Sequence, residues 1–246
     1  MSRLFQELDY RPTPIGALSL RKRRDLASGG DIYEIKLGDE FLMSSQFTVS
    51  EIALARLALA AHGGTGLDVV VGGLGLGYTA ATVLEHDAVA SLLVVEMLDA
   101  VIDWHRAAVL PLGPSLTSDA RCRLVCGDFF AMASEVAGFD PDAPCRLFDA
   151  ILVDIDHSPD MLLDERSRPF YQPDGLRVVA RHLAPGGIFA LWSNDRPDEG
   201  FTRRLSGVFT EAWAVSVKFH NPLQNREATQ TVYLARSGSR LDKAAH

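Results

Sequence analysis

The sequence predicts an α/β fold: an open, Rossmann-like sheet of seven strands with helices on both faces, preceded by a small N-terminal β domain. Three observations carry this. An apolar, β-branched run over residues 67–71 passes into glycines 72, 73, 75 and 77 and then into a helical pattern from Tyr78 to His86, which reads as strand, glycine loop and helix. Further apolar runs over residues 91–95, 122–126 and 147–153 alternate with helical patterns, and each ends at an acid: Glu96, Gly127-Asp128 and Asp154. Residues 1–45 lack that alternation and show short β-like runs at 16–20 and 32–37, with turn signals at Gly29-Gly30 and Gly38-Asp39.

Taken in order, residues 1–46 form the β appendage, 47–238 the main domain and 239–246 a frayed tail. Thr48-Val49-Ser50-Glu51 reads as a capping box, with Phe47 and Ile52 as its hydrophobic staple, so a helix starts here and runs to about His62. After the glycine loop, strands near 91–96, 122–126, 147–154 and 187–192 alternate with helices near 98–109, 129–137 and 174–183. Ala184-Pro185-Gly186-Gly187 ends the last of these helices and turns the chain into the fifth strand. A helix near 199–209 and strands near 212–219 and 230–236 complete the sheet, and the loop 221–225 is placed to cover a pocket.

With 246 residues and 47% hydrophobic content the chain has enough material for a substantial core. A formal charge of −8 argues against nucleic acid as a partner and favours a cationic or hydroxylated small molecule. No apolar run reaches membrane-span length and the N-terminus lacks signal-peptide order, so no membrane partner and a cytoplasmic location are expected. The three cysteines form no Cys-x-x-Cys pair, and Cys122 and Cys126 read as small residues of a buried strand. Seven histidines are scattered without metal-ligand spacing, so no metal is expected. Arg21-Lys22-Arg23-Arg24 reads as a charged strand end and carries no function.

The glycine spacing narrows the ligand. Gly73, Gly75 and Gly77 give Gly-x-Gly-x-Gly, whereas a dinucleotide fingerprint requires Gly-x-Gly-x-x-Gly and meets Tyr78 instead, which disfavours NAD. Glu96, nineteen residues beyond Gly77, stands where a strand-end acid accepts hydrogen bonds from two ribose hydroxyls. In an open parallel sheet the strand-end acids Glu96, Asp128 and Asp154 gather at the carboxyl edge, where such folds bind ligands. Asp156, two residues beyond Asp154, points to the same side, and His157 offers a further proton acceptor.

With these residues placed, the chain resembles class I S-adenosylmethionine-dependent methyltransferases in fold and, more narrowly, the spermidine synthase (polyamine aminopropyltransferase) family. The narrower likeness rests on the small β domain, Leu37-Gly38-Asp39-Glu40 before a capped helix, the glycine loop, Val95-Glu96, Gly127-Asp128 and residues 148–154, and spans roughly residues 15–236. It implies a donor, S-adenosylmethionine or its decarboxylated form, held by Gly73, Gly75, Gly77, Glu96, Asp128 and Phe129, with Glu96 on the ribose and Asp128 on the adenine amino group. It implies Asp154, Asp156 and His157 as the catalytic set, a small amine-bearing acceptor, and a homodimer paired through the β appendage.

Two departures from the family pattern bear on the substrates. The aspartate that aminopropyltransferases carry inside the glycine loop is missing, and Leu74 and Leu76 stand between the glycines. Such an aspartate would repel the carboxylate of intact S-adenosylmethionine, so its loss removes a device for choosing the decarboxylated donor. The family's Asp-x-x-Asp appears as Asp154-Ile155-Asp156-His157, and its tyrosine-containing stretch before the first helix as Val49-Ser50-Glu51. The leading expectation is a transferase moving an aminopropyl or methyl group to an amine. The alternatives are a small-molecule methyltransferase, in which Asp154, Asp156 and His157 hold a divalent cation, and a noncatalytic nucleoside-binding protein of the same fold.

Overall fold

The computed structural model describes residues 4–13, 15–26, 28–221 and 226–238; most of the loop expected to cover a pocket (222–225) and the tail 239–246 lie outside them. Four antiparallel strands, β1 (Phe5–Thr13), β2 (Gly16–Arg24), β3 (Asp31–Leu37) and β4 (Glu40–Ser44), form a sheet in that order. Turns at Gly16 (φ +136°) and Gly38 (φ +58°) need backbone that only glycine adopts readily. The basic cluster lies along β2 and is answered by acids: Arg23 meets Glu34 at 2.7 Å and Arg24 meets Asp31 at 3.0 Å.

The second sheet holds β5 (Leu67–Gly72), β6 (Val89–Glu96), β7 (Cys122–Cys126), β8 (Phe148–Val153), β9 (Leu183–Ser193), β10 (Glu211–Asn221) and β11 (Arg226–Arg236). Their order is β10-β11-β9-β8-β5-β6-β7. The five strands from β9 to β7 run parallel, while β11 pairs antiparallel with both β9 and β10. Among the described residues seven α-helices accompany it: α1 (Val49–His62), α2 (Tyr78–Leu84), α3 (Asp99–Arg106), α4 (Gly113–Ser118), α5 (Phe129–Ser134), α6 (Pro173–Val179) and α7 (Glu199–Ser206). Strand alternation divides the core: Val69, Val71, Leu92, Val94, Ala150 and Leu152 face one layer, and Val70, Leu93, Val95, Ile151 and Val153 the other. Leu18, Leu20 and Ile35 of the small sheet join the first layer, so that sheet shares the core of the larger one. Among the described residues no helix is long and apolar enough to cross a membrane.

The structure revises several local expectations. Thr48 stands at the N-cap of α1 but makes no side-chain capping bond, and Glu51 turns inward, with Ser50 Oγ donating to it at 2.8 Å. Ala184-Pro185-Gly186-Gly187 lies inside β9 as a bulge, where Phe148 pairs with Leu183 but Ala150 pairs with Ile188. Cys126 is exposed and Cys122 half-buried because β7 is the edge strand of the sheet. Helix α4 and a 3-10 helix at Glu165–Tyr171 occupy segments that carry no clear sequence periodicity.

At the amino ends of the parallel strands a polar network ties the sheet together. Asp140 is buried and held by Arg123 of β7 and by Arg146, whose guanidinium also reaches Asp68 Oδ1 (2.8 Å) and Ser91 Oγ (2.5 Å). Burial pushes the Asp140 carboxyl up, but hydrogen bonds from Arg123 and Arg146 outweigh it and lower the pKa to about 2. The folded value thus lies below the ordinary 3.8, so this stabilisation is present above 3.8 and is lost as pH falls through about 2. Asp140→Asn is expected to cost about 2 kcal/mol at pH 7. Urea titrations should show the gap to wild type closing between about pH 4 and pH 2.

Candidate functional site

A cavity of ≈ 420 Å³ opens at the carboxyl ends of β5, β6 and β8, roofed by β3, β4 and the 3-10 segment. Its floor is the glycine loop. Gly73 has φ +93°, and a Cβ there would fall 2.2 Å from the carbonyl oxygen of Asp154. Gly75, at φ +48°, lies under Met43, whose sulfur accepts from the Leu76 N–H at 3.1 Å. Behind the loop, Nε2 of the buried His105 bonds the Gly75 carbonyl at 2.9 Å. Gly77 does not line the cavity: it packs against Leu116 and His105 at the entry to α2.

Glu96 closes one side, where burial raises its pKa against hydrogen bonds from the Leu98 and Leu74 N–H groups. Those bonds are 2.9 Å each, one to each carboxylate oxygen, so Glu96 also fixes the shape of the glycine loop. Asp128 caps α5, its Oδ1 accepting from the N–H groups of Phe130 and Ala131 at 3.0 and 3.2 Å. Phe129 lies beneath, its ring filling the space that Gly72 leaves and stacking on Phe139 at 4.7 Å.

Four groups meet at the other end. Asp154, just past β8, accepts from Thr79 Oγ1 at 2.6 Å. Burial pushes its carboxyl up to about 6, against the Thr79 hydrogen bond. Glu51, 8% exposed, is pushed up to about 7 by burial and then by the negative charge of Asp154. His157 lines the cavity with Nε2 3.0 Å from Glu40 Oε1. Asp156 also lines it and is held firmly: it accepts from the Leu163 N–H (2.7 Å), Ser167 Oγ (2.9 Å) and Tyr171 Oη (2.7 Å). Among the described residues no three His, Cys, Asp or Glu side chains are grouped to hold a metal ion.

The structure therefore brings Gly73, Gly75, Glu96, Asp128, Phe129, Asp154, Asp156 and His157 to one cavity and leaves Gly77 outside it. Sequence reasoning missed Glu51, Thr79, His105 and Met43. A signal for Glu51 existed, because it shares the buried face of α1 with Leu54, Ala55 and Ala58, and an acid on an apolar stripe needs a reason.

The model of the spermine/spermidine synthase domain family matches residues 47–197, which take in the glycine loop and Glu51, Glu96, Asp128, Asp154 and Asp156. The chain belongs to the spermine/spermidine synthase family. Within this family of transferases its curated relatives include putrescine N-methyltransferase 2 of Nicotiana attenuata, 31% identical over 120 residues, and putrescine N-methyltransferase 3 of Nicotiana tabacum, 32% identical over 120 residues. Each match covers 49% of this chain, and the chain spans less than a third of the relatives' length, 29% and 28%. The fold is that of spermidine synthase from Thermotoga maritima (TM-score 0.70, 18% identity, 95% of this chain and 73% of that one). A spermidine synthase solved with the transition-state analogue AdoDATO superposes similarly (TM-score 0.72, 18% identity, 95% and 74%).

A buried acid beside a second, half-buried one should weaken the fold. Glu51 titrates near 4.5 when unfolded and at about 7 when folded, so the folded state keeps its proton longer and stability declines as pH rises through that interval. Glu51→Gln is expected to raise stability above pH 7, by on the order of 2 kcal/mol, and to leave it unchanged below pH 4. Thermal melts of both proteins across that range check the sign.

Proposed function

We propose that this chain is a transferase that binds an adenosyl sulfonium, S-adenosylmethionine or its decarboxylated form, and alkylates the amine of a small acceptor. One observation supports it most: the cavity joins a glycine-loop cradle to the buried Glu51 and the half-buried Asp154, while the one lysine or arginine lining it among the described residues, Arg166, is paired with Asp164 at 2.6 Å. An ammonium group suits such a site, because it supplies the positive charge that the protein withholds.

In this reading Gly73 and Gly75 admit the donor, Glu96 holds its ribose hydroxyls, and Asp128 its adenine amino group. A sulfonium is already an activated leaving group, so the protein's task is to hold a neutral amine in line with the carbon on sulfur. Asp154, fixed by Thr79, orients that amine, and Glu51 holds its charge before reaction. Methyl transfer from the intact donor is favoured by Leu74 and Leu76, which leave no acid in the loop to repel a carboxylate, and by the putrescine N-methyltransferase relatives. Aminopropyl transfer is the second reading, supported by the acidity of the acceptor end. Pairing of two copies through the small sheet belongs to the same proposal and is supported by the exposed Phe5, Tyr10 and Phe41.

Calorimetry with each donor and with 5′-methylthioadenosine, followed by mass spectrometry of diamines after incubation, tests the function. The reading requires nucleoside binding and an acceptor heavier by a methyl or an aminopropyl group. Binding without transfer would leave a noncatalytic nucleoside-binding protein, and no binding would overturn the reading. Asp154→Asn keeps the side-chain shape and removes its charge. Its turnover is expected to fall by about a hundredfold or more while donor affinity stays within about twofold, measured by steady-state rates beside calorimetry.

A further inference from the structure

Of the two sequence-adjacent groups that follow Asp154 into the cavity, one is already committed. Asp156 has both oxygens engaged, Oδ1 by the Leu163 N–H and Oδ2 by the hydroxyls of Ser167 and Tyr171, so it anchors the segment over the cavity. His157 is differently placed. Its carbonyl accepts from the Asn194 N–H at 2.7 Å, which ties its backbone to the end of β9, and the residue lines the cavity with its side chain 17% exposed. Among the described residues the one side-chain hydrogen bond of its ring is to the other sheet: Oε1 of Glu40, the first residue of β4, lies 3.0 Å from Nε2.

A carboxylate accepts hydrogen bonds and cannot donate one, so Glu40 selects the imidazole tautomer with its proton on Nε2. Nδ1 then carries the lone pair. We propose that Glu40 is a positioning residue which, across the junction of the two sheets, sets His157 as the proton acceptor for the incoming amine. This rests on the amine-alkylating reading above. One ammonium proton passes to Nδ1 of His157, and the freed lone pair on nitrogen forms the new bond to the carbon on sulfur. The carbon–sulfur bond breaks with its electrons going to sulfur, leaving a neutral thioether. The imidazolium, balanced by the Glu40 charge, returns its proton to water. In this division of labour Asp154 and Glu51 hold the cation, His157 takes its proton with Glu40 setting the ring, and Asp156 holds the cover.

The test uses the full chain and two readouts. In nitrogen-15 NMR of the histidine rings, wild-type His157 should show a protonated Nε2 and a bare Nδ1, and Glu40→Ala should show a mixture of tautomers. In steady-state kinetics Glu40→Ala and Glu40→Gln should lower kcat by on the order of tenfold or more, with acceptor KM and donor affinity by calorimetry nearly unchanged. His157→Gln should lower kcat at least as far, and adding Glu40→Ala to it should cost little more, because both act through one ring. Glu40→Gln preserves the size and most of the packing if Glu40→Ala folds poorly. An unchanged tautomer in Glu40→Ala, an unchanged kcat in Glu40→Gln, or a parallel loss of donor affinity would overturn the proposal and make the contact a strut between sheets. If the wild type transfers nothing to any amine, the underlying reading fails, and the ring spectra still decide whether Glu40 sets the tautomer.

Discussion

Gly73 and Asp154 directly follow the neighbouring parallel strands β5 and β8, and their backbones touch where those strands end. The Asp154 N–H bonds the Gly72 carbonyl at 2.9 Å, the next residue of each strand turns away, and the space between Gly73 and the Asp154 carbonyl is too small for any Cβ. A substituent there would move either the loop or the acid, and each is half of the proposed site. Donor cradle and acceptor carboxylate are thus set at a fixed separation by main-chain geometry, which varies less than side-chain packing. For a displacement at an activated carbon, fixed separation is the larger part of what a protein can supply.

That arrangement conflicts with stability. Glu51 is buried and Asp154 half-buried beside it, with hydrogen bonds from Ser50 and Thr79 and no ion pair to either among the described residues, and loss of solvent raises the pKa of both. Compensation lies at the other end of the same strands. There Asp140, Arg123, Arg146, Asp68 and Ser91 pair with one another, and the Asp140 carboxyl is driven down where those of Glu51 and Asp154 are driven up. One end of the sheet holds its charges in pairs and the other leaves them open for a ligand. A cationic acceptor would make the second end resemble the first.

The features legible in the sequence are those with a local cause. Strand, glycine loop and helix were readable because apolar periodicity and glycine act within a few residues, and Glu96, Asp128 and Asp154 because strand ends in a parallel sheet share an edge. What stayed hidden depends on contacts distant in sequence. Glu51 satisfies the capping-box pattern, yet tertiary packing turns it from the helix terminus into the cavity. The bulge at 184–187 looks like a turn because glycine and proline serve both, and only pairing with β8 separates them. Cys126 looks buried from its apolar run, whereas its exposure follows from the place of β7 at the sheet edge. Gly77 fits the loop spacing, but its neighbours are Leu116 and His105, which no local pattern reveals.

The small N-terminal sheet gains its meaning from the same long-range contacts. Alone it has too few apolar residues for a core, and Leu18, Leu20 and Ile35 are buried only because they enter the layer beneath β5 and β6. In return it supplies contacts that the larger sheet lacks: Met43 accepts from Leu76 in the glycine loop, and Glu40 meets His157 at the acceptor end. Both contacts come from β4, whose Leu42 and Met43 line the cavity. A displacement of that strand would therefore reach the donor loop and the proposed base together, although their chemistry is separate. The small sheet takes its fold from the larger one, and the cavity of the larger one is complete only with the small sheet in place.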